Sequence, residues 1–358
     1  MYRSGRAWSG MRAHRRWRFG RDDDGVGIYA RDVEDARREY SLRRLAELTG
    51  RLEPLIGAVG DRPLCVYATG SYGRLEAGAA SDIDLFFLCD AELDGAFPFT
   101  VFVRLAAAVV EATEQMDFPP FTGDGQYLEV HYVERMEEVL GSPADDSINA
   151  FTARMLLLLE SRPVFAADVY DRLLQRVVSF YFRDFADHPD TFVPVFLTND
   201  ILRFWRTLTL NYEHKRLKLR RLEGDALRAK KADSALKNYK LKISRLLTCF
   251  SMVAVLTSRT APVTEAAVLA LCAQTPRERI RGLADRGREA GGLVHKLEEH
   301  YEAFLEAVQR PQPELLAEFE DPERRKAALD DAGEFGDRIY ELIRVTAADD
   351  QRLRYLLI

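Results

Sequence analysis

The sequence has little of what disulfide-linked, zinc-binding or membrane-spanning proteins need. Its 358 residues include only four cysteines and six histidines. The cysteines form no CxxC pair and the histidines show no HExxH or similar spacing, which argues against a zinc site. The cysteines stand among apolar neighbours, which is typical of buried thiols in a reduced, cytoplasmic protein. The longest uninterrupted apolar run, Ala266–Ala273, is far too short to cross a bilayer.

An excess of positive charge is also missing. The formal net charge is −6, so the surface as a whole is not built to hold polyanions, and any phosphate or nucleic-acid site must be a local basic patch. Residues 1–25 are rich in arginine and lack an apolar segment, which excludes a secretory signal peptide. We expect a disordered basic leader there, with a nucleic-acid arm as the alternative.

Hydrophobic periodicity predicts a mixed sheet with helices in the first part of the chain. Leucines at three- and four-residue steps predict a helix over Asp32–Ile56, and Phe99–Met116 has a similar pattern. Short runs rich in β-forming residues predict three strands, at Leu64–Ala68, Asp82–Leu88 and Tyr127–Val133.

The remainder of the chain has helical periodicity. After the turn residues at 141–143 every periodic segment has a helical spacing, and Arg220–Ala232 between two of them resembles an exposed linker or loop. The sequence therefore predicts an α+β fold. A small domain with a short mixed sheet would span residues 26–142, and an all-helical domain would span residues 143–358.

The informative stretch is Ala68–Asp90, which reads ATGSYGRLEAGAASDIDLFFLCD. A strand ends at Ala68 and Gly70-Ser71 opens a turn, where glycine permits unusual backbone angles. Exposed N–H groups and a hydroxyl at such a turn suit a phosphate. Asp82 and Asp84 follow on the next strand, and a period of two directs both carboxylates to one face. An Asp-x-Asp pair alone is more often a solvated strand edge. The order and spacing of the turn and the two carboxylates favour a functional site.

Paired carboxylates on a rigid strand are suited to a divalent cation. Mg²⁺ prefers oxygen ligands and usually binds through one or two carboxylates together with substrate phosphates. Two such ions stabilise the attacking and leaving oxygens of an in-line displacement at phosphorus. Asp82 and Asp84 are therefore predicted to bind Mg²⁺, with Mn²⁺ as the alternative ion.

The same stretch resembles the hG[GS]…DxD signature of the DNA polymerase β superfamily of nucleotidyltransferases. More closely, GSYGRLEAGAASDIDLFFL is similar to the corresponding segment of the PII-protein uridylyltransferases, in which a G-x-x-G-R-x-E run precedes SDIDL. The resemblance implies that Gly70 and Ser71 contact the nucleotide phosphates and that Asp82 and Asp84 hold the metal. It also implies that Arg74 meets a phosphate and that Glu76 orients Arg74 or caps the turn. A local surface ion pair explains these two residues equally well.

The superfamily resemblance also implies a third carboxylate on a later strand. Our candidate is Glu129 in QYLEVHYV, as a metal ligand and as a base toward the acceptor hydroxyl. The family more often has aspartate there, and a solvated strand face explains Glu129 equally well. Asp124 and Glu134 are the substitutes.

A basic stretch interrupts the acidic chain between His214 and Arg245, where lysines and arginines far outnumber three acidic residues. Such a run is usually a solvated face. The superfamily often places a helical domain opposite the phosphate-binding turn, and the resemblance then implies that Lys237, Lys240, Ser244 and Arg245 bind the triphosphate.

The sequence favours a cytoplasmic enzyme that transfers a nucleoside monophosphate from a nucleoside triphosphate to a hydroxyl of a protein or small molecule. A nucleotide second-messenger synthase belongs to the same class. The alternative from another class is a nucleotide-binding regulatory or toxin-neutralising module on the same scaffold. The overall acidity weighs against a nucleic-acid partner, and no membrane partner is expected.

Overall fold

The computed structural model describes residues 29–55, 63–90, 97–121, 128–217, 219 and 223–356. Up to the fourth strand, the chain forms a small sheet with helices around it. Its elements in order are α1 (Tyr29–Leu52), β1 (Leu64–Thr69), α2 (Gly70–Gly73), β2 (Asp84–Cys89), α3 (Phe99–Gln115), β3 (Val130–Tyr132), α4 (Val133–Glu138), α5 (Pro143–Ser147), α6 (Ala150–Glu160) and β4 (Arg162–Phe165).

The rest of the described chain is helical. Its elements are α7 (Ala167–Ser179), α8 (Val195–Leu217), α9 (Gly224–Lys240), a π-helical turn (Leu241–Arg245), α10 (Leu246–Ser258), α11 (Glu265–Cys272), α12 (Pro276–Arg281), α13 (Arg288–Val308), α14 (Gln312–Glu320), α15 (Pro322–Thr346) and α16 (Asp350–Arg354). The α+β fold class predicted from the sequence is confirmed.

The sheet has the order β3-β2-β1-β4. β1 pairs antiparallel with β2 and with β4, and β2 pairs parallel with β3. All six residues of β1 are buried, because both faces of this strand are covered. The continuous apolar run Leu64–Ala68 has this physical origin, and its prediction as a strand is confirmed.

Two hydrophobic cores lie on the two faces of the sheet. On one face, side chains such as Val66 and Phe87 pack against Leu48 of α1 and Val109 of α3. The other face contributes residues such as Tyr67 to a larger core that extends through the helical part. Tyr67 stacks on Phe86 with ring centroids 5.5 Å apart and donates a hydrogen bond to the Ala153 carbonyl oxygen at 3.0 Å. The sheet is therefore fixed to the helices that follow it.

The structure differs from the sequence prediction at several places. The strand predicted over Asp82–Leu88 begins at Asp84 and ends at Cys89, so Asp82 precedes it. The strand β4 pairs with β1 although it lies beyond residue 142, so the sheet includes a strand from the stretch expected to be all helical. The predicted strand Tyr127–Val133 is shorter, since Val133 already begins α4 and Tyr127 lies outside the described residues. Arg220–Ala232 was predicted as a linker, but α9 begins within it at Gly224.

The helical stretch Gly224–Ser258 combines α9, the π-helical turn and α10. Among the described residues it is the one helix long and apolar enough to cross a membrane, and 72% of its apolar window is buried inside the protein. A core helix has this property because neighbouring helices cover all of its sides.

Candidate active site

The turn after β1 brings backbone close to a strand carboxylate. Gly70 has a φ of +66°, a left-handed conformation that glycine adopts at little cost. A Cβ atom at this position would lie 3.2 Å from Oδ2 of Asp84. The turn closes through hydrogen bonds from the Arg74 N–H to the Gly70 oxygen (3.0 Å) and from the Glu76 N–H to the Ser71 oxygen (2.8 Å). Glycine therefore leaves room beside the carboxylate, and half-buried Ser71 follows at the rim.

Asp82 and Asp84 are both solvent-exposed, as a ligand-binding pair requires. Asp84 is the first residue of β2 and lies directly opposite Thr69, and Asp82 precedes the strand by two residues. Partial desolvation and the nearby Asp82 raise the pKa of Asp84, whereas Arg245 and Arg74 lower it. Solvent reaches the Asp84 carboxylate although protein surrounds it. The two carboxylates therefore crowd each other in a recess lined by cationic groups.

This donor set fits a magnesium ion. Carboxylate oxygens are hard ligands, and one or two of them normally hold Mg²⁺ in proteins. The space that a Gly70 side chain would fill lies beside Oδ2 of Asp84, so an ion and its water or phosphate ligands have room there. A divalent charge would also relieve the crowding that raises the pKa of Asp84.

Glu129 lies on the same face of the sheet as Asp84, but its carboxylate is not clustered with those of the two aspartates. The parallel register pairs Phe87 with Val130, which sets Glu129 beside Phe86, two residues along from Asp84. Its side chain is 52% exposed, and its Oε1 lies 3.8 Å from Nε2 of His131. Burial raises the pKa of Glu129 and a hydrogen bond with Asn149 lowers it.

Leu128 and Val130 pack into the opposite core, as the two-residue period predicts. Within the described ranges, Asp82, Asp84 and Glu129 do not form a group whose oxygen atoms all lie within 4.8 Å of one another. The role of Glu129 stays a prediction. Of its two substitutes, Glu134 lies in the first turn of α4 and Asp124 falls outside the described residues.

The helical part contributes two cations to the recess. Arg245, the last residue of the π-helical turn, interacts electrostatically with Asp84. Burial and the adjacent Arg74 lower the pKa of Arg245 to about 10, and Asp84 raises it, so the guanidinium stays charged at neutral pH. Lys240 is exposed at the end of α9. Partial desolvation by the surrounding protein lowers the pKa of the Lys240 ammonium group, and the charge of Asp82 raises it. Lys240 thus faces one aspartate and Arg245 the other.

The other two residues of the predicted basic set are placed differently. Lys237 is 66% exposed, and its Nζ pairs with Asp233 one helical turn away at 3.0 Å. Ser244 is buried and hydrogen-bonds to Tyr301 in the interior. The basic run is therefore divided by helical geometry, with Lys240 and Arg245 at the recess, Lys237 on the surface and Ser244 in the core.

Arg74 and Glu76 form a buried ion pair. Arg74 is 9% exposed, and its Nε lies 2.8 Å from Oε2 of Glu76. Its Nη1 lies 2.6 Å from Oε2 of Glu160, the last residue of α6. Tyr301 of α13 donates a hydrogen bond to the same oxygen of Glu76 at 2.9 Å. Arg74 and Glu76 therefore form an ion pair, but it is buried rather than on the surface, and both residues are bound to the helical part. The contact of Arg74 with a phosphate stays a prediction.

Glu160 and Thr69 are two residues of this region that the motif does not reveal. Glu160 accepts hydrogen bonds from Arg74, Arg245 and Thr248. The only sequence signal for it is a single acid directly after the apolar run Met155–Leu159 of α6. Thr69, opposite Asp84, is 1% exposed, and its hydroxyl has no hydrogen-bond partner among the described residues.

A second acidic group, Glu34, Glu298 and Glu302, has carboxylate oxygens that lie within 4.8 Å of one another. Its centre is already filled by an arginine. Nη2 of Arg277 lies 3.2, 2.6 and 2.9 Å from these three carboxylates, and Arg281 pairs with two of them. The group is therefore an ion-pair network between α1 and α13, and it offers no position for a metal ion.

The first part of the chain is similar to a protein family. The family model described as "Putative nucleotidyltransferase DUF294" matches residues 29–128, a range that contains the Gly70 turn and both aspartates. No curated protein matches the chain. The family match agrees with the resemblance of the Ala68–Leu88 segment and with the mixed sheet. Residues 29–128 are therefore similar to this family, and the similarity is consistent with the polymerase β-like nucleotidyltransferase superfamily.

Proposed function

We propose that the protein is an active nucleotidyltransferase that moves a nucleoside monophosphate from a nucleoside triphosphate to a hydroxyl acceptor. The observation that carries this proposal is the recess in which exposed Asp82 and Asp84 face Lys240 and Arg245 beside Gly70. Carboxylates for a metal and cations for phosphates are the two requirements of phosphoryl transfer, in which positioning and electrostatics supply most of the catalysis.

Each residue of the recess has a role in the proposed reaction. Asp82 and Asp84 would hold Mg²⁺, or Mn²⁺, which when bound neutralises phosphate charge. Gly70 gives the phosphates close access and Ser71 donates its hydroxyl. Lys240 and Arg245 pair with phosphate oxygens from the opposite wall.

The transfer exchanges one bond at the α-phosphorus for another. The acceptor hydroxyl oxygen forms a bond to the α-phosphorus, the bond to the bridging oxygen of the β-phosphate breaks, and pyrophosphate leaves. The hydroxyl proton passes to a carboxylate base, the role proposed for Glu129. This role requires the Glu129 side chain to turn from His131 toward Asp84, with which it shares a face.

A labelled-nucleotide experiment tests the function. The protein is incubated with each α-labelled nucleoside triphosphate and Mg²⁺, with and without a cytoplasmic extract, and pyrophosphate is measured in parallel. We expect label to move to an acceptor with equimolar pyrophosphate release. A labelled protein band identifies a protein acceptor, and a soluble labelled product identifies a small molecule or a nucleotide second messenger. Absence of transfer with every nucleotide contradicts the proposal.

The position of Glu129 favours one other function, a nucleotide-binding regulatory or toxin-neutralising module. Its carboxylate is exposed and apart from the two aspartates, and a site without a third carboxylate could bind without catalysing. Transfer by the wild type excludes the binding module, and Glu129→Gln then tests whether Glu129 is the base. For the enzyme we expect unchanged binding of Mg²⁺-nucleotide and a loss of transfer of about tenfold or more, since one base is removed. If Glu129→Gln transfers as fast as the wild type, Glu129 is not the catalytic base.

A further inference from the structure

Glu160 joins the two sides of the recess. One side is the turn that begins at Gly70, and the other is the helical wall that carries Lys240 and Arg245. The Glu160 side chain is fully buried at the end of α6. Its Oε2 accepts hydrogen bonds from Nη1 of Arg74 at 2.6 Å and from the Thr248 hydroxyl at 2.9 Å. Its Oε1 accepts a close hydrogen bond from Nη1 of Arg245. One carboxylate therefore binds a cation from each wall.

The charges around Glu160 explain why a carboxylate is needed there. Arg74 and Arg245 are close enough to repel each other, and Arg74 is already paired with Glu76. Without Glu160, Arg245 would have no buried anionic ion-pair partner among the residues that the structure describes, and Arg74 would repel it. Removal of one member of a buried ion pair leaves an uncompensated charge, which is costly. A neutral group of the same shape would therefore not hold Arg245 in the same place.

Glu160 also limits the position of the turn itself. A Cβ atom at Gly73 would lie 1.9 Å from the backbone oxygen of Glu160, so the turn and the end of α6 are in direct contact. Arg245 keeps 29% of its side chain exposed while it is anchored by Glu160, and it interacts with Asp84. The anchored guanidinium is thus still open to the recess.

We infer that Glu160 is a positioning residue for nucleotide transfer, because it fixes the guanidinium of Arg245 opposite Asp84 at a set distance from the Gly70 turn. The inference rests on the proposed function. Glu160 itself is fully buried and touches neither nucleotide nor metal. Its backbone contact with the turn survives substitution and Arg74 stays paired with Glu76, so a change of the Glu160 side chain acts on the reaction mainly through Arg245. Binding of a phosphate by a side chain that is already held in place loses less conformational entropy than binding by a free one.

A double-mutant cycle tests this inference. The variants are Glu160→Gln, Arg245→Ala and the double variant, and the measured quantity is kcat/KM for transfer with Mg²⁺. We expect each single variant to lose about 10- to 100-fold and the double variant to lose no more than Arg245→Ala alone, since residues that act as one unit are not additive. Multiplied losses in the double variant would overturn the inference.

A control variant and a milder variant separate positioning from folding. Asp145→Asn removes another fully buried carboxylate that pairs with two arginines, Arg154 and Arg203. It should lower the melting temperature and leave kcat/KM unchanged. Glu160→Asp keeps the charge, shortens the reach and is expected to fold even where Glu160→Gln does not. Glu160→Asp should lower kcat/KM in the wild-type protein but not when it is added to Arg245→Ala. A further loss in the Arg245→Ala variant contradicts positioning.

A binding measurement distinguishes failure of the inference from failure of the proposed function. The same cycle is measured by calorimetry with Mg²⁺ and a non-hydrolysable triphosphate. Absence of transfer by the wild type contradicts the proposed enzyme, while coupled losses of affinity still support positioning of Arg245 by Glu160. Additive losses of affinity overturn the inference, and a wild type that neither transfers nor binds the triphosphate overturns both.

Discussion

The two walls of the candidate site are built in different ways. The sheet wall comes from one short stretch of sequence, in which Gly70, Asp82 and Asp84 lie within fifteen residues and local backbone geometry sets their relation. The helix wall consists of Lys240 and Arg245, more than 150 positions away, and an ion pair with the buried carboxylate of Glu160 holds Arg245 in place. A motif can therefore reveal the first wall, whereas the second depends on contacts that only the folded chain makes.

The strongest test of the sheet wall is removal of one aspartate charge. We expect Asp82→Asn and Asp84→Asn each to lower transfer by at least ~10²-fold, in line with the loss of one electrostatic stabiliser, and to leave the melting temperature at or above that of wild type. Asp84→Asn relieves the crowding that raises the pKa of this carboxyl, which is why its fold should not suffer. Glu114→Gln, an exposed carboxylate on α3, is the control and should not change transfer. Near wild-type transfer by Asp84→Asn would contradict a metal-binding role for the sheet wall.

The contact between the walls is tested at Gly73. Gly73→Ala places a methyl group 1.9 Å from the Glu160 oxygen, so the backbone has to shift. We expect the free energy of unfolding to fall by about 1–3 kcal/mol, as overpacking of a close contact does. Gly78→Ala is the matched control, because nothing lies within 4 Å of its Cβ position, and urea unfolding of both variants measures the difference. Equal stability of the two variants would mean that the turn and α6 are not in close contact.

The helix wall predicts a graded series. Substitution of Arg245 by alanine should weaken binding of Mg²⁺-triphosphate by about tenfold or more. The same substitution of Lys240 should weaken it a fewfold, and that of Lys237 should leave it unchanged. Arg245 and Lys240 interact with the aspartates, whereas Lys237 is 66% exposed and pairs with Asp233. Calorimetry at constant ionic strength measures the series. Equal losses at all three positions would show that the basic run acts only through its summed charge.

The sheet face beneath the helices predicts a pH dependence of stability. Burial lowers the pKa of His131 from 6.5 to about 4, so the folded state keeps this histidine neutral where the unfolded chain takes up a proton. Stability should therefore fall as the pH drops from about 6.5 to 4, by up to ~1.4 kcal/mol per pH unit. His131→Asn should lose this part of the dependence in chemical unfolding at several pH values. An unchanged pH profile in the variant would exclude His131 as its origin.

The sequence predicts the sheet wall well because its signals are local. The apolar run before Gly70 indicates β1, and the alternation around Asp84 indicates β2 and the shared carboxylate face. The strand β4 was missed because four residues that pair only after a long excursion of the chain carry no periodic signal. The charges of Arg220–Ala232 indicate a linker, but a helix begins at Gly224 because packing of its later turns stabilises it.

The helix wall was predictable only in part. The excess of lysine and arginine indicates a basic surface, but helical geometry decides that Lys240 faces Asp82 while Lys237 faces solvent. Glu160 could not be recognised, since its significance lies in partners that are 85 to 88 residues away in the chain. Burial of an acid between two arginines is a property of tertiary structure.

The central claim is that the two walls bind one nucleotide between them. A crystal structure with Mg²⁺ and a non-hydrolysable nucleoside triphosphate tests it most directly. We predict a metal ion bound by Asp82 and Asp84, with the triphosphate between the Gly70-Ser71 turn and the side chains of Lys240 and Arg245. A triphosphate bound elsewhere, or one bound here without contact to Arg245, would contradict the account.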